Sequence, residues 1–213
     1  MIADTYWVSL FILIGINIIA ALGLNLLTGY TGQISLGHAA FFTIGSYASA
    51  ILTGRCEISF WLALPASGLI AALAGVVIGL PALRLKRLFL AISTMGFGLI
   101  VEEVIIQWEG LTNSINGLSV SRPSIGSFNF ASDERYYYLV YMILIILIVI
   151  FKNILRSPTG RAFIAIRDSE VAAESVGINL AGYKTLSFSL SALYAGIAGS
   201  LYTHFMLFIG TDC

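Results

Sequence analysis

The sequence predicts an all-α bundle of membrane-spanning helices. Composition is the first reason. Of 213 residues, 58% are hydrophobic and 10% are charged, against about a quarter charged in soluble domains. Too few polar side chains remain to cover a surface facing water. The second reason is length. Apolar stretches of about 20 residues, enough to cross a hydrocarbon core, recur along the chain. The third is charge placement. The basic residues cluster at alternate breaks between those stretches, as they do in multi-pass proteins.

About six spans follow in order. The first runs from Tyr6 to Leu27 and opens on two aromatics suited to an interface, Tyr6 and Trp7. The second runs from about Ser35 to Thr53. The third runs from Phe60 to Leu83, with small residues Ala63, Ser67, Ala71, Ala74 and Gly75 spaced for close helix packing. The fourth runs from Leu88 to Trp108, the fifth from Tyr136 to Phe151 and the sixth from Lys184 to about Phe208. The N-terminus lacks the basic region of a cleavable signal.

With six alternating spans, Arg84, Lys86, Arg87, Lys152, Arg156, Arg161, Arg167 and Lys184 fall on one side. Arg55, Arg122 and Arg135 fall on the other. The positive-inside rule makes the first side cytoplasmic. The outer loop from Glu109 to Arg135 contains the turn formers of Leu111 to Leu118, then Pro123 and Gly126, and offers an exposed docking surface.

Residues 25–47 are uncharged but rich in glycine (Gly29, Gly32, Gly37, Gly45) and polar side chains. Two readings stand side by side: a broken or re-entrant helix at a substrate path, or a short polar loop whose glycines permit close packing. Asn25, Gln33 and His38, with Ser93 and Thr94 of the fourth span, are the candidate translocation-path residues. A lone histidine beside glycine and alanine is more often a satisfied packing residue. Glu102 and Glu103 sit near the outer end of the fourth span, where solvation lowers the cost of a carboxylate.

Between the last two spans lies a polar island, residues 157–183. Ser157-Pro158 opens a helix, with proline tolerated in its first turn. Phe163, Ile164 and Ile166 supply an apolar face. Asp168 or Ser169 suits an N-cap, Glu170 matches the positive end of a helix dipole, and Gly177 suits the left-handed position that ends a helix. Ala172, Ala173 and Val176 predict a narrow stripe of small residues flanked by Glu170 and Glu174. A helix this short is unstable alone in water and needs a partner. Its lack of Lys, Arg and large aromatics favours a protein groove over lipid headgroups.

Nothing in the sequence composes a catalytic set. The run GINLAGYKT over residues 177–185 is a near miss to a phosphate loop, but Tyr183 separates its second glycine from Lys184. No His, Cys or carboxylate group has metal-ligand spacing. The two cysteines, Cys56 and Cys213, form no framework. The net charge is zero and there is no basic patch, so nothing points to nucleic acid. No cofactor or metal is expected, and any ATP chemistry must come from another chain.

Three blocks together resemble the permease subunits of bacterial branched-chain amino acid ABC importers, the LivM-like half. They are Leu24 to Phe42, Arg84 to Leu118, and Ser157 to Gly199 with its runs Gly160–Asp168 and Ala172–Ile178. Related urea and short-chain amide permeases share much of them. The resemblance implies a bacterial inner-membrane protein with several partners: a second, LivH-like permease subunit, two cytoplasmic ATP-binding subunits and an extracytoplasmic binding protein, all in membrane lipid. It implies that the island is a coupling helix with an EAA-like motif. Asp168, Glu170, Ala172, Ala173, Glu174 and Gly177 would then meet the ATPase. Such permeases usually continue through several more spans, so a single permease domain over residues 1–213 is expected to be C-terminally truncated. Beside the importer stand other readings: a stand-alone channel or secondary transporter, a membrane enzyme, or a non-functional fragment. The nearly charge-free spans and the empty catalytic inventory weigh against the channel or transporter and the enzyme.

Overall fold

The computed structural model describes residues 2–82, 87–112, 117–125, 128–129 and 132–210. Arg84 and Lys86 of the basic turn, the outer-loop residues 113–116, Gly126 and Cys213 lie outside the described residues. Helix α1 (Ile2–Asn25) continues into a π-helical turn over Leu26–Tyr30. After an irregular stretch come α2 (His38–Gly54), α3 (Phe60–Ala82), α4 (Arg87–Gln107) and the single turn α5 (Glu109–Thr112). The second half holds α6 (Asp133–Arg156), α7 (Pro158–Asp168), α8 (Glu170–Ser175) and α9 (Leu180–Met206). Short strands β1 (Leu118–Ser119), β2 (Ser124–Ile125), β3 (Phe128–Asn129) and β4 (Phe208–Ile209) form two antiparallel pairs, β1 with β4 and β2 with β3.

Helix α9 is the axis of the bundle. Ser187, Ser191, Ala192, Ala195, Gly196, Ala198, Gly199 and Ser200 are all buried, so neighbouring backbones can come close. Helix α2 runs parallel to it: Gly45 lies against Gly196, and the Ser49 and Ser200 hydroxyls bond at 2.7 Å. Helix α3 runs antiparallel, with Gly68 beside Ile197, Gly75 beside Ala192 and Gly79 beside Thr185. Helix α1 meets α9 where Gly23 faces Ser191 and Tyr194. Helix α6 is fixed by two tyrosines: Tyr194 donates to the Leu147 carbonyl at 3.0 Å, and Tyr136 to the Leu201 carbonyl at 2.6 Å. Both hydroxyls are thereby satisfied away from water.

The all-α bundle is as expected. Among the described residues, four helices are long and apolar enough to cross a membrane: α1 with its π-helical extension, α3, α4 and α6. The other two expected spans differ for separate reasons. Helix α9 has 27 residues, but its Ser- and Gly-rich faces meet protein, so its sequence has no need of lipid-like apolarity. Helix α2 has 17 residues and starts at His38, after the irregular stretch, so its expected beginning at Ser35 is not helical. The expected sixth span also ends early. Leu207 takes a left-handed φ of 62°, which stops the helix at Met206 and turns Phe208 into β4.

The helix directions gather at one end of the bundle the irregular stretch, the end of α3, the start of α4 and the α7–α8 pair. The β1–β4 pair and the links beside it lie at the other end. Arg122, bonded to Asp133 at 2.6 Å, pins the start of α6 there.

Packing around α9 predicts an asymmetry among glycines. A Cβ on Gly196 would lie 2.6 Å from the Ala71 Cβ and 3.0 Å from the Ser67 carbonyl oxygen. Gly196→Val should therefore destabilise the bundle by roughly 1–3 kcal/mol. Gly96→Ala, with nothing within 4 Å of the added Cβ, should not destabilise it. Unfolding of the two variants in detergent checks this; equal stability would remove the packing role assigned to Gly196.

Candidate functional site

The break between α1 and α2 is a built structure. The Thr28 and Thr31 hydroxyls donate back to the Leu24 and Leu26 carbonyls at 2.8 and 3.0 Å, absorbing acceptors as the helix unwinds. Gly32, with φ of 70°, makes the turn that an L side chain would resist. From there the chain alternates. Thr31, Gln33 and Ser35 are buried, while Ile34 and Leu36 are exposed.

Three helices hold this non-helical backbone. Gln33 Nε2 donates to Ser187 Oγ of α9 at 2.9 Å. The Leu36 amide donates to Thr94 Oγ1 of α4 at 3.0 Å, and Gly37 fits directly against the Thr94 carbonyl. His38 bridges two helices: Nε2 lies 3.0 Å from the Ala20 carbonyl, and Nδ1 lies 3.3 Å from Ser191 Oγ. With Nε2 donating to the carbonyl, Nδ1 is left to accept from the Ser191 hydroxyl. Gln33 Oε1 and Ser35 Oγ are buried with no hydrogen-bond partner among the described residues. Irregular backbone at membrane depth must be enclosed by protein or line a watery cavity. Here its inward side is enclosed, and that side carries two spare polar groups.

Next to it a cleft of about 260 Å³ opens between α2 and α4. Leu36, Gly37 and Thr43 form one wall, and Val101, Glu102 and Ile105 form another. Glu102 thus lines the cleft, whereas the Glu103 carboxylate accepts from Gln107 on the same helix at 2.5 Å.

Of the candidate translocation residues, the structure brings Gln33, His38 and Thr94 together around the break. Asn25 and Ser93 are exposed and stand outside that set. The sequence reading missed Ser187 and Ser191 of α9. Their spacing of four places both on one helix face, and that spacing was the available signal.

The α7–α8 pair is attached at the same end as the break. Phe163 and Ile166 are buried, and Phe163 meets Tyr183 edge to face at 6.3 Å. Ser169 caps α8 by accepting from the Ala172 amide at 3.3 Å. Gly177, with φ of 84°, ends it while the Ile178 amide returns to the Ala173 carbonyl at 3.0 Å. Glu170 reaches α9, where its carboxylate lies 2.7 Å from Lys184 Nζ. The expected stripe divides: Ala173 is buried, while Ala172 and Val176 face outward with Val171. A six-residue helix lying on a bundle can turn only one side inward, and here that side is the one carrying Ala173. Asp168 and Glu174 are exposed.

Residues 6–209 match the family model described as branched-chain amino acid transport system / permease component. The chain belongs to this permease family. It is 35% identical over 211 residues to the high-affinity branched-chain amino acid transport permease LivM of Salmonella typhimurium and, equally, to LivM of Escherichia coli. Each match covers 88% of this chain and 50% of the relative, so the chain spans about half the length of the relatives it matches. It is also 24% identical over 195 residues to the probable permease LivH of Methanocaldococcus jannaschii, covering 86% of this chain and 61% of that one. No solved structure matches. The family is one of transport permeases, not of enzymes.

The permease's break is held by polar contacts whose strength is testable. Gln33→Leu and Ser187→Ala, combined in a double-mutant cycle, should show a coupling of about 0.6 kcal/mol and at most about 1.7, the range for hydrogen bonds between membrane helices. A coupling of zero in detergent unfolding would detach the break from α9.

Proposed function

We propose that this chain is a permease subunit of an ATP-binding-cassette importer for leucine, isoleucine and valine. The break between α1 and α2, with Gln33, His38 and Thr94, lies on its translocation path. The α7–α8 end faces the cytoplasm of a bacterial inner membrane. Residues 157–183 form the coupling loop within a single permease domain, and six elements cross the bilayer: α1, α2, α3, α4, α6 and α9. The partners are a second, LivH-like permease subunit, two ATP-binding subunits and an extracytoplasmic binding protein. Family membership and the relatives' names support the substrate class. Similarity to both LivM and LivH supports a paired assembly.

One observation carries the coupling role. At the tip of the α7–α8 pair, Val171 and Val176 are 80% and 75% exposed. Two branched apolar side chains on a capped helix, at the end bearing most of the basic residues, offer an anchor surface to a protein groove. Ser169, Gly177 and the Glu170–Lys184 pair fix the helix so that a push on it moves the bundle. The drive is alternating access. ATP-dependent closure of the partner subunits displaces α8, and the helices around the break rearrange to open the path to the other side.

The exposed valines separate coupling from folding. In the full-length protein assembled with its partners, Val176→Asp or Val171→Asp should leave bundle stability within about 0.5 kcal/mol, as for exposed positions generally. Stimulation of ATP hydrolysis by the loaded binding protein should be lost. Ala173→Asp should instead destabilise the bundle, because it places a carboxylate in a site only 2% exposed. Unchanged stimulation in both valine variants would remove α8 from the coupling interface. Leucine uptake by the chain without any ATP-binding subunit would return the protein to the class of channels or secondary transporters.

A further inference from the structure

Two of the polar contacts that join the α7–α8 pair to the rest of the bundle have different destinations. Glu170 binds Lys184 on α9, the rigid axis. Arg167, at the end of α7, reaches the break itself. Its Nη1 donates to the Gly29 carbonyl at 3.1 Å, across 138 residues of sequence. Gly29 lies in the π-helical turn that ends α1. Carbonyls in a last turn have no onward helix to bond, and a cation is the favoured partner there.

A second, steric observation supports the same contact from the opposite side. A Cβ on Gly32 would lie 2.9 Å from Arg167 Cγ and 3.5 Å from Arg167 Cα. The break therefore rests on the helix as well as on the tip of a long side chain. Asp168 steadies the guanidinium, its Oδ1 accepting from Arg167 Nε at 3.1 Å.

The far end of the break is tied elsewhere. Gln33 is held by Ser187, and Leu36 and Gly37 are seated on Thr94 of α4. Residues 31–37 thus form a strap of non-helical backbone that continues from the π-helical turn holding Gly29. One end is gripped by α7 and the other by the helix that forms a wall of the cleft beside Glu102. A strap with free φ/ψ at Gly32 can change shape where an unbroken helix would move only as a rod.

We propose that Arg167 is a positioning residue that passes displacement of the α7–α8 pair to residues 29–37, and through them to α4, by holding the Gly29 carbonyl and resting on Gly32. This rests on the reading that α8 receives motion from an ATPase. A purely structural cap would affect stability and leave the yield of transport per ATP unchanged. A transmitting contact changes that yield.

The test uses the full-length protein in the complete importer, reconstituted in proteoliposomes, with leucine import and ATP hydrolysis measured together. Arg167→Ala should assemble and hydrolyse ATP, while leucine imported per ATP falls roughly tenfold, within the range for residues that carry coupling. Arg167→Lys, which keeps a cationic donor, should recover much of the loss. Gly32→Ala, which displaces the same contact from the other side, should lower the same ratio. The double variant should be no worse than the worse single, because both remove one contact. Lys152→Ala, at an exposed cation of α6 outside residues 157–183, is the control and should keep the wild-type ratio. A wild-type ratio in Arg167→Ala, or additive losses in the double variant, overturns the inference. If Arg167→Ala does not assemble, Gly32→Ala decides alone, and a wild-type ratio in it has the same force. A wild-type complex that neither hydrolyses ATP nor imports leucine overturns the functional reading instead.

Discussion

Backbone polar groups that leave a helix at membrane depth must find partners inside the protein. The architecture follows from meeting that requirement over residues 31–37. The inward-turned side chains of this stretch, Thr31, Gln33 and Ser35, need an enclosing partner, while Ile34 and Leu36 stay exposed. Helix α9 is that partner, with Ser187 and Ser191 at the level of the break and glycine, alanine and serine elsewhere. Those small residues allow α2 and α3 to close on the same axis. Large apolar side chains are shared between the core, as with Ile12, Ile16, Phe163 and Phe188, and outer faces such as Ile145, Ile146 and Val149 of α6. Serine hydroxyls thus gather along α9 at the break, beside a core that is otherwise apolar.

What was legible in the sequence was mainly what is local. Hydropathy located α1, α3, α4 and α6, because their outer faces must resemble lipid. Ser169 and Gly177 marked the ends of α8, because caps are written in the residues that make them. The glycines and polar residues between Asn25 and Tyr47 marked the break. What stayed hidden depends on distant partners. The side of α8 that turns inward is decided by the bundle beneath it, so Ala173 separated from Ala172 and Val176. Helix α9 read as one more span, since its sequence does not say that it is surrounded. The contact from Arg167 to Gly29 has no local signature, as its partners are 138 residues apart.

The bundle divides into a firm part and a lighter one. Around α9, backbones of three helices approach closely and two tyrosines fasten a fourth. Helix α4 is held more lightly: Thr94 supports the break, Val101 and Ile105 meet Tyr47 and Ala50, and Ile92, Leu99 and Ile100 remain exposed. The cleft lies along this lighter seam. A change of shape in the permease is accommodated most easily there, because fewer packed contacts must be given up.

Lys184 adds a property of a different kind. Its side chain is 9% exposed, and the carboxylate beside it belongs to the short helix at the tip of the bundle. Lifting that helix strands an ammonium ion in a nearly dry site, which is far costlier than separating two charges in water. Glu170, at 43% exposure, loses much less when the pair opens. The cost is therefore one-sided and is steepest as the pair first opens, since Coulomb attraction weakens with distance. The pair thus favours one position of the tip, closed over Lys184, with no energy source of its own.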